Sequence, residues 1–256
     1  MNWKTFYAML LRDGHVARRN LVPTLVQNLL QPLLLTFVFG RVLTSSGMMQ
    51  GAYKNVLLPG IIAISMTLSG IWAVAMPLIT EFQFSKEIED RLLAPMATHW
   101  LAVEKIIAGM VQSIVSGVVV IPAAWLMMGS GANLSFARPL EFALIGLLVA
   151  LFAGAGGLTL GCAISQQHIG LMFSLIIAPM IMFGCAYYPW SALKSFPGMQ
   201  YAVLVNPIVY ACEGLRGTLV PQVPHIPIYA IIGALAGFDC LFLIVGLRRF
   251  NQKAVT

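Results

Sequence analysis

The chain has 256 residues, 59% hydrophobic and only 9% charged, against about 25% charged in an ordinary soluble domain. So few charges cannot cover a globular surface, which excludes a water-soluble fold and leaves lipid as the surrounding medium. The net charge of +6 is not gathered into a basic run with interleaved aromatics; nucleic acid is therefore not an expected partner, and the Lys and Arg excess reads as anchoring on the cytoplasmic side of a membrane.

The first 20 residues lack the continuous apolar core of a cleavable signal peptide. Trp3, Phe6, Tyr7, Leu10 and Leu11 fall at helical spacing, with Lys4, Arg12, Arg18 and Arg19 elsewhere. That pattern predicts an amphipathic helix over 1–20 lying in the interface plane; the plainer reading is a frayed terminus. Apolar stretches follow near 21–43, 56–80, 101–128, 140–163, 169–188 and 226–247. A span needs about 20 residues, so the expected fold is all-α integral membrane, one domain over 1–256 with six transmembrane helices. The first stretch is the weakest, interrupted by Pro23, Gln27, Asn28, Gln31 and Pro32. Its polar side chains should face other helices, because hydrocarbon offers no hydrogen-bond partners.

Charge sets the orientation. With the N-terminus inside, the inner segments carry ten basic residues: Lys4, Arg12, Arg18, Arg19, Lys86, Arg91, Lys105, Arg248, Arg249 and Lys253. The outer segments carry five: Arg41, Lys54, Arg138, Lys194 and Arg216. This bias places both termini in the cytoplasm. The connection 81–100, EFQFSKEIEDRLLAPMATHW, is the most charged stretch and reads as a short cytoplasmic helix closed by Pro95. The connection 189–225 is long and outer, with five prolines around the apolar run YAVLVNPIVYACEGL. That run is too short to span and is broken by Pro207, so it predicts re-entrant or interfacial helices between spans 5 and 6; the competing reading is a seventh span.

Candidate functional residues are few. No GxxxxGK[ST], GxSxG or HExxH occurs, and the four histidines are scattered. Cys162, Cys185, Cys212 and Cys240 form no CxxC and read as small apolar packing residues, with a Cys185–Cys212 disulfide left open. No metal site is expected. Asp239 sits near the middle of the last apolar stretch, where a charge costs several kcal/mol unless solvated or paired. It faces either a substrate path or another helix, or it is a buried structural residue. Tyr187, Tyr188 and Trp190 are either part of an aromatic belt or an outer gate. Gly157 with Gly161 and Gly233 with Gly237 permit close helix approach.

Four local patterns now carry a resemblance. The basic N-terminus runs into PLLLTFVFGRVL at 32–43; LPGIIAISM opens the second span at 58–66; KEIEDRLLAPM at 86–96 is followed by VEKIIAG at 103–109; and LVNPIVYACEGLRGTLVP at 204–221 precedes the last span. In that order and spacing the chain resembles the ABC-2 type membrane subunit of ABC exporters, a family that includes permeases for nodulation-signal, drug, lipid and polysaccharide export. One departure is that Asp90-Arg91 stands directly before Leu92-Leu93, where many members have Gly-Thr.

The resemblance implies an inner-membrane, multi-pass permease with no cofactor of its own and no enzymatic activity. Two copies would pair with a dimer of a separate P-loop ATPase that holds ATP and Mg. It assigns Glu87, Glu89, Asp90 and Arg91 to ATPase coupling, the plainer reading being a solvated charged face. It assigns Asn206, Pro207 and Arg216 to shaping the re-entrant helices. An apolar interior with few charges favours an amphipathic drug, a lipid or a lipid-linked saccharide as cargo. An ATP-independent secondary transporter or channel is the alternative, and a membrane-embedded enzyme or assembly factor a third, though it lacks a catalytic set.

Overall fold

The protein is described by a computed structural model over residues 36–47, 53–82, 98–128 and 134–255, with scattered positions between 11 and 34. Among the described residues all regular structure is helical. The interface helix predicted over 1–20 lies largely outside them, as do Gln27, Asn28 and Gln31.

Four helices are long and apolar enough to cross a membrane. They are α1 (Tyr53–Thr80), α2 (Thr98–Met128), α3 (Pro139–Ala163) and α6 (Ile228–Val255). The first three match their apolar stretches to within three residues, and α6 starts two residues into its stretch and runs on eight past it. Helices α1, α3 and α6 run one way and α2 the other, so one end of the bundle gathers the start of α1, the end of α2 and the starts of α3 and α6. The other end gathers the finish of α1, the start of α2 and the finishes of α3 and α6.

Helix α1 is central and packs on α2, α3 and the later α5. Of its most apolar stretch 78% is buried, whereas the figure for α6 is 22%. Thus α6 presents most of its apolar surface outward. Small residues allow the close crossings. A Cβ on Gly157 of α3 would meet the Ile71 carbonyl oxygen of α1 at 2.8 Å, and one on Gly161 would meet the Ala75 Cα at 3.0 Å. Gly233 and Gly237 on α6 have nothing within 4 Å of such an atom, so this pair makes no close approach among the described residues. Two hydroxyls tie helices together: Ser116 Oγ donates to the Ser65 carbonyl at 3.1 Å, and Thr159 Oγ1 to the Phe242 carbonyl at 3.1 Å.

The fifth apolar stretch departs from expectation. It forms a 17-residue helical run, α4 (Gln166–Met182), in which 3-10, α and π turns succeed one another. At 1.5 Å per residue this is about 25 Å, at the lower limit of what crosses a hydrocarbon core of roughly 30 Å. The helix stops at Met182 rather than near 188 because the chain turns at Gly184 and Cys185. Cys185 has φ 54, a left-handed conformation that a non-glycine residue adopts at a cost. The first stretch is helical through Val38–Val42 and Leu43–Ser45 where it is described.

Between α4 and α6 the chain forms a 3-10 helix (Trp190–Ser195), a short helix (Pro197–Ala202), a second 3-10 turn (Val203–Val205) and then α5 (Pro207–Leu219). Pro207 begins a helix rather than breaking one. Its missing N–H costs nothing in the first turn, and Asn206 caps the helix by accepting from Ile208 N at 3.0 Å. With 13 residues, α5 is about 20 Å long. All of its residues but Tyr210 are buried.

Candidate functional site

The buried ion pairs among the described residues lie at the two opposite ends of the bundle.

At the end where α1 begins, the centre is an ion pair on α5. Glu213 and Arg216 stand three residues apart and their side chains, both 0% exposed, are in direct contact. Two charges out of water are tolerated only when their remaining hydrogen-bonding positions are filled, and here they are. Arg216 Nη2 donates to the Cys185 carbonyl at 2.8 Å and to the Ala186 carbonyl at 3.4 Å. Its Nε and Nη2 each reach the Val56 carbonyl of α1 at 3.3 Å. Glu213 accepts from Trp190 N at 2.9 Å and from Ile226 N at 3.3 Å. One pair therefore fastens the first turn of α1, the turn after α4, the start of the 3-10 helix and the entry to α6.

The aromatic residues close around this node. The Tyr53 hydroxyl of α1 donates to the Tyr187 carbonyl at 2.6 Å, and the Tyr187 ring stacks on Phe39 with centroids 6.1 Å apart. The Tyr188 hydroxyl donates to the Met182 carbonyl at 3.2 Å, and the Trp190 indole N–H to the Gln200 carbonyl at 2.9 Å. Asn206 Nδ2 donates to the Met180 carbonyl at 2.7 Å, pinning α5 to the end of α4. The structure thus brings Tyr187, Tyr188, Trp190, Asn206, Pro207 and Arg216 into one cap over the bundle. Every polar side-chain atom named here is spent on backbone groups or on the ion pair. Burial pushes the Tyr187 hydroxyl up to about 12. Burial, and then the Glu213 carboxylate, push the Cys185 thiol up to about 12. Cys185 and Cys212 are both buried free thiols, with no disulfide between them.

At the other end, Glu81 and Lys105 form a buried ion pair at 2.8 Å. These residues follow α1 and lie in the second turn of α2, so they flank the charged connection 81–100 on both sides. Glu87, Glu89, Asp90 and Arg91 themselves lie outside the described residues. Glu104, beside Lys105, is also fully buried. The last turns of α6 sit against the same flanks. Phe82 meets Phe250 edge-on at 5.9 Å, Lys253 Nζ stands 4.7 Å from the Phe82 ring centroid, and Thr98 Oγ1 donates to Asn251 Oδ1 at 2.8 Å.

Asp239 joins neither cluster. It lies midway along α6, 2% exposed, and neither carboxyl oxygen has a hydrogen-bond partner among the described residues. No group of three or more His, Cys, Asp or Glu able to hold a metal occurs among the described residues.

Nothing in these clusters resembles a catalytic centre; they fasten helices. A family model for the ABC-2 type transporter matches residues 4–220, which takes in both the charged connection and the α5 cap. The chain belongs to the ABC-2 type transporter family. It is similar to the inner membrane transport permease YadH of Escherichia coli (strain K12) and to the protein of the same name in Shigella flexneri. Each is 24% identical over 246 residues, covering 95% of this chain and 93% of the relative. Members of this family are transmembrane subunits of transport permeases, and the four apolar helices fit that role. Sequence reasoning missed Glu213, Glu81 and Lys105 as site residues. The signal for the first was present: an acid and an arginine three apart on a helix face each other. The second pair is 24 residues apart and carries no local signature.

Proposed function

We propose that this ABC-2 chain is the membrane-spanning permease subunit of an ATP-driven exporter in the bacterial inner membrane. Two copies form the pore pair, and a separate P-loop ATPase, also in two copies, supplies ATP and Mg chemistry. The chain crosses six times, with α4 and the stretch around 21–43 adding to the four long helices, and both termini are cytoplasmic. The cargo is an amphipathic drug, a lipid or a lipid-linked saccharide. The α5 cap is the re-entrant outer segment, with Tyr187, Tyr188 and Trp190 at its gate.

The observation that carries this reading is the buried Glu81–Lys105 pair. A loop that only joined two spans would need no buried charge at its roots. An ion pair costs desolvation that geometry must offset, and breaking it is expensive. Such roots suit a connection that is pulled and must not splay. The contacts on the ATPase are then Glu87, Glu89, Asp90 and Arg91.

The test is purification of the tagged chain from its native membrane under mild extraction. A stoichiometric P-loop ATPase, lost on charge reversal of Glu89 and Asp90, supports the assignment. Retention of the ATPase and of coupled hydrolysis in that variant refutes the coupling residues. The secondary-transporter alternative rests on Asp239, a deeply buried acid on α6 with no hydrogen-bond partner among the described residues. It requires ion-gradient transport by the chain alone, abolished in Asp239→Asn; transport unchanged by that substitution removes it.

A further inference from the structure

Helix α6 is fastened at both ends by side-chain contacts to the two polar clusters. At its start, Ile226 N donates to Glu213 Oε2, and the Pro227 carbonyl takes the N–H groups of Ala230 and Ile231 at 3.0 and 3.1 Å. The chain is thus tied to the Glu213–Arg216 node at Ile226, just before the helix begins at Ile228. At its finish, three consecutive kinds of contact reach the flanks of the charged connection. Phe250, fully buried, holds Phe82 on one flank. Asn251 accepts from Thr98 on the other flank. Lys253 stands over the Phe82 ring and also donates to the Cys162 carbonyl, near the end of α3, at 3.3 Å. Between the ends, α6 is 28 residues of continuous helix, about 42 Å long. Along that length its main neighbour is α3, whose Thr159 Oγ1 donates to the Phe242 carbonyl and against which Gly246 is closely seated, so a displacement at one end is carried along a single continuous rod.

We propose that α6 is a transmission element: Phe250, Asn251 and Lys253 position both flanks of the 81–100 connection, and the helix carries their movement to the Glu213–Arg216 node at the opposite end. This rests on the reading that an ATPase drives the 81–100 connection. Helix α1 also joins the two ends, but it is buried on most of its surface and its Gly60 lies against the Ala186 backbone, so it can move only with its neighbours. Helix α6 is tied mainly to α3 and is far less enclosed than α1, so it can shift with fewer neighbours. Phe250, Asn251 and Lys253 are positioning residues, acting through the connection rather than on cargo.

The experiment uses the full complex of this chain with its co-purifying ATPase in liposomes. A reporter, Lys194→Cys in a Cys240→Ser background, sits in the exposed part of the 3-10 helix beside the node. Its labelling rate with a membrane-impermeant maleimide is compared without nucleotide and with ATP and vanadate. The parent complex should show a nucleotide-dependent change in rate. Phe250→Ala and Lys253→Met should shrink that change by roughly two- to thirty-fold, the span expected for residues along a coupling network, with ATPase stoichiometry intact. Lys253→Arg, which keeps the cation over Phe82, should restore it. A full response in both Phe250→Ala and Lys253→Met overturns the proposal, as does a parent complex whose reporter ignores nucleotide. Loss of the ATPase from these variants also overturns it, by making the end of α6 a docking surface. If the parent chain brings down no ATPase, the exporter reading itself has failed, and that result is seen before any labelling.

Discussion

Arg216 is the largest fully buried side chain among the described residues, and its charge is matched by one carboxylate and three backbone carbonyls. Removing one member of a buried pair leaves the other uncompensated, at about 3–5 kcal/mol. Arg216→Met and Glu213→Gln should each therefore lower the thermal unfolding temperature in detergent sharply. Arg216→Lys should also fail to rescue, because an ammonium cannot reproduce the planar fork that serves Val56, Cys185 and Ala186 together; a Lys variant as stable as the parent would sink this account. Cys185 offers a second check. Its thiol is raised to about 12, and thiolate, not thiol, is the nucleophile. At pH 7 to 9 the folded protein should leave Cys185 unmodified by maleimide while the unfolded chain, with an ordinary thiol near 8.5, reacts. Mass spectrometry of the Cys185 peptide before and after denaturation reads the difference. The sequence placed Arg216 among the shapers of this segment through a family motif. Its main-chain partners were invisible, because all three are carbonyl oxygens contributed by residues 30 or more positions away.

At the scale of the element, the legible features were those with a period or a length. Helices α1, α2, α3 and α6 follow from apolar stretches long enough to cross. What the stretches concealed was where a helix ends for tertiary reasons. The run 169–188 stays apolar past Met182, yet the chain turns at Gly184 and Cys185 because the carbonyls of Cys185 and Ala186 are wanted by Arg216. Pro207 misled in the opposite direction: inside an apolar run it reads as a break, whereas next to Asn206 it is the first residue of a capped helix. That cap has a double function, since Asn206 accepts from Ile208 and donates to the Met180 carbonyl. Asn206→Asp keeps the acceptor and loses the donor; Asn206→Ala loses both. Loss of a cap costs about 1 kcal/mol, and a buried carbonyl left unpaired adds about 1–3 kcal/mol. Both variants should be less stable than the parent, Ala more so because it loses the cap as well as the donor. Detergent melting curves for the three proteins decide the order, and equal stability of all three would mean that Asn206 is not the clasp between α4 and α5.

The whole molecule is a bundle in which one helix is central and another is peripheral, a distinction that hydropathy cannot draw. Over their most apolar stretches mean hydropathy is 1.9 in α1 and 2.3 in α6, so the better covered stretch is not the more apolar one. This follows from the medium: lipid accepts apolar side chains as readily as a protein interior does, and in membranes it is close approach, not apolarity, that marks the packed face. The two glycine pairs read from the sequence were equivalent as motifs, and the structure separates them. Gly157 and Gly161 lie against the α1 backbone, where an added methyl would meet Ile71 oxygen or Ala75 Cα and no flexible side-chain tip could yield. Gly233 and Gly237 have open space. Overpacking a tight crossing costs about 1–3 kcal/mol, so Gly157→Ala and Gly161→Ala should each lower the melting temperature of the purified protein by several degrees. Gly233→Ala and Gly237→Ala meet nothing and replace the poorest helix former but proline with the best, so they should leave it unchanged or raised. Because all four substitutions add the same methyl to the same kind of helix, a shared penalty would assign the effect to glycine itself. A penalty confined to α3 assigns it to the α1–α3 crossing that holds the central helix in place.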